Sequence, residues 1–256
     1  MTLRVLSLGA GVQSTALLEM ILAGDLDADA AVFADTGWEP HAVYQHLEAL
    51  KIRADAHGFP IHIVNAGHSI RTVGGESTAG RPPLYLLGDR GHGMLRRQCT
   101  QVFKVQPVRR KLRAMLTETG GTRVEQILGI SADEIQRVRT SDVKYITNLY
   151  PLVDRGLRRS DCIAYLESRG LSAPRSACIG CPYHSNTEWR RLRDDSPEEF
   201  ADAVAYEREI QADGLALEAT PYLHRQRVPL DEVDLSTPED HGQLTFDDEC
   251  LGMCGV

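Results

Sequence analysis

Cys178-Ile179-Gly180-Cys181 sets two thiols two residues apart on a turn that a glycine can open. Two thiolates at that spacing reach one metal, and a site needs further ligands. The chain has six cysteines, at positions 99, 162, 178, 181, 250 and 254. Cys99, just ahead of a helical pattern, is the first candidate for a third ligand, and Cys250 or Cys254 for a fourth. Three thiolates on a [4Fe–4S] cluster leave one iron open, whereas the same residues on a zinc ion make a structural site. Both readings stand on spacing alone. Cys250 and Cys254 lie four apart near the chain end, where a thiol could attack a bound sulfur species or carry a persulfide, and they are the candidate catalytic residues. Cys162 falls on an apolar helix face and reads as packing.

A second constellation begins the chain. Arg4-Val5-Leu6-Ser7-Leu8 is a short apolar strand, Gly9-Ala10-Gly11 a run of small residues, and Val12-Gln13-Ser14-Thr15 the start of an apolar helix. Without large side chains at 9 to 11 the backbone can approach a ligand, and the helix N-terminus presents N–H groups to an anion. Residues 7 to 14 are therefore the candidate phosphate cradle. The pattern is neither G-x-G-x-x-G nor a loop ending in Gly-Lys-Ser/Thr.

Around these sites the patterning alternates strand and helix. Apolar residues mark a helix over Ser14–Ala23, a strand over Ala30–Ala34, a helix over Pro40–His57 and a strand over Ile61–Val64. Such β-α-β crossovers demand a parallel sheet. Asp35 falls past the end of the second strand, at the edge where open α/β sheets bind ligands. Residues 65 to 98 lose periodicity and are rich in glycine and proline, so a lid or substrate loop is expected there. A helix over Lys104–Thr117 and a strand over Val124–Ile130 follow, with Gly129 placed to let backbone approach a nucleotide and Ser131 capping a short helix that carries Asp133, Glu134 and Arg137. If that strand lies beside the first, loop 7–14 and Gly129 face each other at the topological switch point. Tyr145–Leu152 is expected to be extended, Ser160–Arg169 helical, and helices are expected from Asn186 and from Ser196, with a loop-like remainder from Gly214.

The composition is that of an ordinary globular protein, 42% hydrophobic and 25% charged, long enough for one large domain or an α/β domain with an appendage. A net charge of −8 argues against a wide nucleic-acid interface but leaves room for a local basic patch. Arg137, Arg225 and Arg227 are the candidate anion contacts, from basic spacing only. No apolar run reaches membrane-spanning length, and the first strand starts at Leu3 or Arg4, so a cytoplasmic protein without a membrane partner is expected. In that compartment cysteines serve metal or redox chemistry better than disulfides.

The loop resembles the PP-loop of N-type ATP pyrophosphatases and the related loop of phosphoadenosine phosphosulfate (PAPS) reductases, with Ser7, Gly9, Ala10, Gly11 and Ser14 on the small and hydroxyl positions. Asp35-Thr36-Gly37 resembles the Asp-Thr-Gly segment of those reductases. Cys99 followed by Lys104-Val105-Gln106-Pro107-Val108 resembles their cysteine segment, and Tyr150-Pro151-Leu152, the helix near Asp161 and the 178–181 pair follow in the family's order. Over residues 4 to 182 the chain is similar to the PAPS reductase-like branch of the PP-loop superfamily. The resemblance implies an α/β fold with a parallel sheet of about five strands and helices on both faces, and a mostly helical and loop C-terminal region carrying cysteines. It divides the chain into a nucleotide-binding domain, 1–182, and an appendage, 183–256, and brings Cys99 beside the pair.

Three departures shape the functional expectation. Gln13 stands where ATP-splitting members carry an acid; a single Cys99 follows Gln98 where cluster-bearing reductases place two cysteines; and Glu249-Cys250-Leu251-Gly252 replaces their Glu-Cys-Gly-Leu-His. The resemblance implies an adenine-nucleotide-dependent sulfur-transfer enzyme. It would hold ATP or another adenine nucleotide with Mg²⁺ at Ser7, Gly9, Ala10, Gly11, Val12, Gln13, Ser14, Asp35 and Gly129. A [4Fe–4S] cluster, with zinc as the alternative, would sit on Cys99, Cys178, Cys181 and Cys250. Its expected partners are a small-molecule nucleotide, a sulfur donor, a nucleic-acid acceptor at a basic patch and a second copy in a homodimer. A sulfonucleotide reductase and a nucleotide- or redox-sensing module are the rival readings.

Overall fold

The computed structural model describes residues 1–73, 79–89, 91–212, 218–237, 240 and 242. In chain order it runs β1 (Thr2–Leu8), α1 (Val12–Leu22), β2 (Ala30–Asp35), α2 (His41–Ala56), β3 (Ile61–Asn65), β4 (Tyr85–Gly88) and β5 (Gly91–Met94). It continues with α3 (Gln106–Thr119), β6 (Arg123–Leu128), β7 (Ile146–Leu149), α4 (Pro151–Asp154) and α5 (Arg159–Glu167). Helices α6 (Asn186–Asp195) and α7 (Pro197–Ala212) precede β8 (Thr220–Tyr222). No helix of the described residues is long and apolar enough to cross a membrane.

The chain forms two compact units. Unit 1 comprises Met1–Asp35, His41–Ala66 and Lys104–Ser176. Its sheet is the expected one, five parallel strands in the order β3-β2-β1-β6-β7. Strand alternation sends successive residues to opposite faces. Leu6, Leu8, Ala31, Phe33 and Ile127 pack on one face with the apolar stripes of α1, α2 and α5, while Leu3, Val5, Val32, Val124 and Ile146 pack on the other against Val108, Leu112 and Met115 of α3. Helices cover both faces, which explains why the strands read as nearly continuous apolar runs. β6 pairs with β1 on the side away from β2, so the switch point falls at the carboxyl ends of those two strands, as expected.

Unit 2 comprises Thr36–Pro40, Gly67–Phe103 and the described residues from Ala177 onward. The sequence boundary at 182 cuts through this unit, because its contacts join segments distant in the chain. Its core holds Trp38, Phe103, Trp189, Tyr206 and Leu223. The stretch from 65 to 98 is not one irregular lid. Ile70–Thr72 is a 3-10 turn, and Tyr85–Gly88 and Gly91–Met94 form an antiparallel hairpin whose first strand also pairs with β8, making a three-stranded sheet. Strands of four residues with glycines at 88, 91 and 93 carry too little alternation to register as a pattern. Two further expectations shift: Tyr145–Leu152 splits into β7 and the single turn of α4, and β8 lies within the loop-like remainder.

Candidate functional site

In unit 1 the loop after β1 is shaped by residues inside it. Ala10 adopts φ +54°, a left-handed conformation that costs a non-glycine residue about 1 kcal/mol or more and marks a backbone held against its preference. The brace is Ser14, whose Oγ accepts hydrogen bonds from the N–H groups of Gly9 (3.1 Å) and Gly11 (3.3 Å). Gly11 caps α1, and the first-turn N–H groups of Val12, Gln13 and Ser14 have no preceding helical carbonyl to bond. Free N–H groups at a helix N-terminus, with the helix dipole, favour an anion. A Cβ on Gly11 would stand 3.2 Å from the Ser176 Cβ, and one on Gly129 only 3.1 Å from the Ser14 nitrogen. Glycine at these positions is therefore a packing requirement, and Gly129 does lie against the loop.

Gln13 is tied down. Its Nε2 donates to Glu134 Oε2 at 3.1 Å and reaches Ser131 Oγ at 3.4 Å. Glu134, buried beside the loop, also pairs with Arg137. The candidate anion contact Arg137 thus has a carboxylate partner already. Sequence reasoning missed Glu134 because it read that residue as part of a capped turn; the acid lost from the loop at Gln13 was the signal to look for one nearby. Asp35, at the carboxyl end of β2, accepts a hydrogen bond from the Tyr44 hydroxyl at 2.7 Å. Ser7, the last expected member, is the penultimate residue of β1 and pairs with Val32 and Leu128.

Cys99, Cys178 and Cys181 all belong to unit 2. Cys99 directly precedes the π-helical turn Thr100–Val105, a distortion common at functional sites. Cys178 and Cys181 share one turn, closed by a bond from the Cys181 N–H to the Cys178 carbonyl at 3.1 Å. The tip of that turn lies flat against Trp38: a Cβ on Gly180 would fall 2.1 Å from the indole ring. Trp38 is in turn fixed by its Nε1–H to Asp202 and by the edge of Tyr206. His184 closes the other side, its Nε2 3.0 Å from the Cys178 carbonyl oxygen. The C-x-x-C-x-x-H spacing was visible in the sequence, and the histidine turns out to position the turn.

Cys178 has polar neighbours that the sequence gave no sign of. Its Sγ lies 3.3 Å from the Thr36 hydroxyl and 3.7 Å from Oε1 of Glu39, a buried carboxylate to which Thr36 also donates. Burial pushes the Tyr183 hydroxyl pKa up, and Arg97 pulls it down. Arg97 sits over the Tyr183 ring. Cys162 is a packing residue of unit 1, its thiol pushed by burial up to about 12.

Among the described residues no three His, Cys, Asp or Glu side chains converge as the ligands of a single metal ion would. Cys99 and the Cys178–Cys181 pair are carried on two separate segments of unit 2. Cys250 and Cys254 lie outside the described residues.

Arg225 and Arg227 also belong to unit 2. Arg225 meets the Asn186 side chain at 3.3 Å, and Arg227, at φ +57°, donates to the carbonyls of Leu86, Arg225 and Gly93 and stacks over Tyr85. Neither meets a carboxylate among the described residues, unlike Arg71, Arg190 and Arg208.

Residues 4–173 match the family model of the phosphoadenosine phosphosulfate reductase domain. Comparison with curated proteins gives no match. Among solved structures the chain is similar to the U34-tRNA thiolase NcsA from Methanococcus maripaludis with its [4Fe–4S] cluster, at 12% identity and a TM-score of 0.40, covering 82% of this chain and 72% of that one. A likeness that loose bears no functional argument.

Proposed function

The chain belongs to the phosphoadenosine phosphosulfate reductase domain family, and on that premise we propose that it is an adenine-nucleotide-dependent sulfur-transfer enzyme. The observation that carries the reading is the Ser14-braced loop at the switch point, with Gln13 held by a buried carboxylate. ATP is the proposed nucleotide, its phosphates lying along Gly9–Ser14 and its remaining parts toward Asp35 and Gly129. An oxygen of the acceptor attacks the α-phosphorus, the bond to the bridging oxygen breaks, and pyrophosphate leaves with that electron pair. A hydrosulfide then displaces adenylate, which departs with the acceptor's oxygen.

The chain's own residues do the holding. First-turn N–H groups of α1 offset phosphate charge, and Ser14 keeps the loop open for it. Glu134 would hold Mg²⁺, which when bound would offset phosphate charge. Cys99, Cys178 and Cys181 would hold a [4Fe–4S] cluster, which when bound supplies an iron with an open position for sulfide. Thr36 and Glu39 direct the Cys178 thiol, and His184 fixes the turn that carries it.

Pyrophosphate release from ATP, measured with and without sulfide on anaerobically purified protein, tests the reading. Anaerobic protein should be brown, with iron and acid-labile sulfide. No ATP turnover, together with sulfite from PAPS, would replace this reading by the second one, a sulfonucleotide reductase. Gln13 in place of an acid favours that alternative. Colourless protein containing zinc would remove the cluster.

A further inference from the structure

The three-stranded sheet of unit 2 has one face packed and one face open. Residues paired directly across antiparallel strands share a face. Tyr85 is opposite Met94 on β5 and Tyr222 on β8, and Leu87 is opposite His92 and Thr220. These six residues therefore line one face, and Leu86, Gly93 and Pro221 belong to the other. Pro221 and its neighbours Leu84 and Leu223 are buried. The first face is exposed: Leu87 and Met94 are 37% and 38% accessible, His92 and Thr220 are exposed, and both tyrosines are half-buried. A rung of Met94, Tyr85 and Tyr222 thus meets solvent.

Cations gather at the Tyr85 end of this face. Arg227 stacks over Tyr85 and donates to the Arg225 carbonyl. Arg225 is held in place from below. The N–H of Gln226 donates to Nδ1 of buried His224, so Nε2 carries the proton and donates to Oδ1 of Asn186, the atom that also receives the Arg225 guanidinium. The two arginines have no carboxylate partner among the described residues, and Arg97 stacks on Tyr183. The acids Asp89 and Glu218 belong to the far, hairpin-turn end of the sheet. In a chain of net charge −8, a half-apolar, aromatic sheet face ending in uncompensated arginines is complementary to a polyanion that also has flat apolar groups.

We infer that the Tyr85–Tyr222 face is the docking surface for a single-stranded nucleic acid, the acceptor of the sulfur-transfer reaction. Bases stack on Tyr85 and Tyr222, and the backbone runs over Arg225 and Arg227. An exposed sheet face with aromatic side chains is a stacking platform that any base can use, and the arginines supply the phosphate contacts. A small phosphorylated metabolite has no use for a rung of three side chains. This inference rests on the sulfur-transfer reading for the role of the bound strand, and its binding test is independent of that reading.

The test is fluorescence anisotropy with the full chain and a labelled single-stranded RNA of about 12 nucleotides, without ATP. Binding should weaken about tenfold in Tyr222→Ala and stay near the parent value in Tyr222→Phe, which keeps the ring. Arg225→Ala should lower the slope of log affinity against log salt by about one, whereas Arg225→Lys keeps it. Circular dichroism of each variant separates lost binding from lost folding. The inference is overturned if no single-stranded oligonucleotide binds, if folded Tyr222→Ala binds as the parent does, or if a mononucleotide competes at the same concentration as the oligonucleotide. Because ATP is absent, protein that releases no pyrophosphate can still bind RNA, and the two readings fail separately.

Discussion

The phosphate loop of unit 1 and the cysteine turn of unit 2 are both small-residue turns, but they are held by different means. The loop is braced by its own Ser14, and most of its members lie within residues 7 to 14. The turn at 178–181 is held by Trp38 on one side, His184 on the other, and Thr36 and Glu39 beside its first thiol, groups brought in from as far as 142 residues away. A loop that braces itself keeps its shape through local chemistry. A turn wedged by distant side chains depends on the packing of its whole unit, so it is the more fragile of the two.

The largest test of that contrast is Gly180→Ala. The added Cβ would sit 2.1 Å from an indole that is 5% exposed and fixed by Asp202 and Tyr206, so neither side can yield without disturbing the core of unit 2. Overpacking of this kind costs about 3 kcal/mol. Iron and acid-labile sulfide measured per chain should fall close to zero while ATP binding persists; normal iron content in this variant would show that the turn is not wedged as described.

Acidity comes next, because it too falls on unit 2. Burial, with some help from Arg225, lowers the His224 pKa from its ordinary 6.5 to about 4. Below pH 6.5 the unfolded chain takes up a proton that the folded unit refuses, so stability decreases as pH falls from about 6.5 to 4, by up to about 1.4 kcal/mol per unit. Glu207 acts in the opposite sense. Burial raises its pKa although it accepts N–H bonds from Leu223 and Leu230, so its contribution weakens as pH rises above its ordinary 4.5. Replacing the histidine isolates its share. Between pH 5 and 6.5 acid should lower the urea midpoint more in the parent than in His224→Gln; equal shifts in the two proteins would refute the neutral, buried histidine.

Gly129→Ala probes the self-braced loop in turn. Its Cβ would press on the Ser14 nitrogen at 3.1 Å and the Ser14 Cα at 3.3 Å, displacing α1's first turn by a few tenths of an ångström. Nucleotide affinity, read by calorimetry, should drop about tenfold, or about 1.4 kcal/mol, with the cluster spectrum unchanged. A parallel loss of iron would mean that the two sites are not held independently.

The same contrast explains what the sequence disclosed. The five-stranded sheet and the loop were legible because strand, turn and helix follow one another between Thr2 and Leu22, and apolar runs such as Ala30–Ala34 have one physical meaning when both faces are covered. The cysteines could be picked out by type and spacing. Their supports could not: Glu39 is one acid among 36, and nothing local distinguishes it from a solvated one until the fold sets its carboxylate against Cys178. The hairpin at 85–94 was hidden by its glycines, and with it the exposed tyrosine face.

Gln13→Glu has the smallest expected effect and discriminates most finely between the two functional readings. The new carboxylate would meet Glu134 where the amide now donates at 3.1 Å, and the Arg137 ion pair with Glu134 offsets part of the repulsion. In a partly solvated site the cost to stability should stay below about 1 kcal/mol. Two carboxylates facing the phosphate site form a harder cation site than one, so ATP affinity should become more dependent on Mg²⁺. A sulfonucleotide reductase has no metal-bridged triphosphate to hold, and in it the same change would weaken anion binding at every Mg²⁺ concentration. Nucleotide titrations with and without Mg²⁺ therefore separate the readings: a widened gap between the two curves supports ATP splitting at this loop, and a uniform loss supports the reductase.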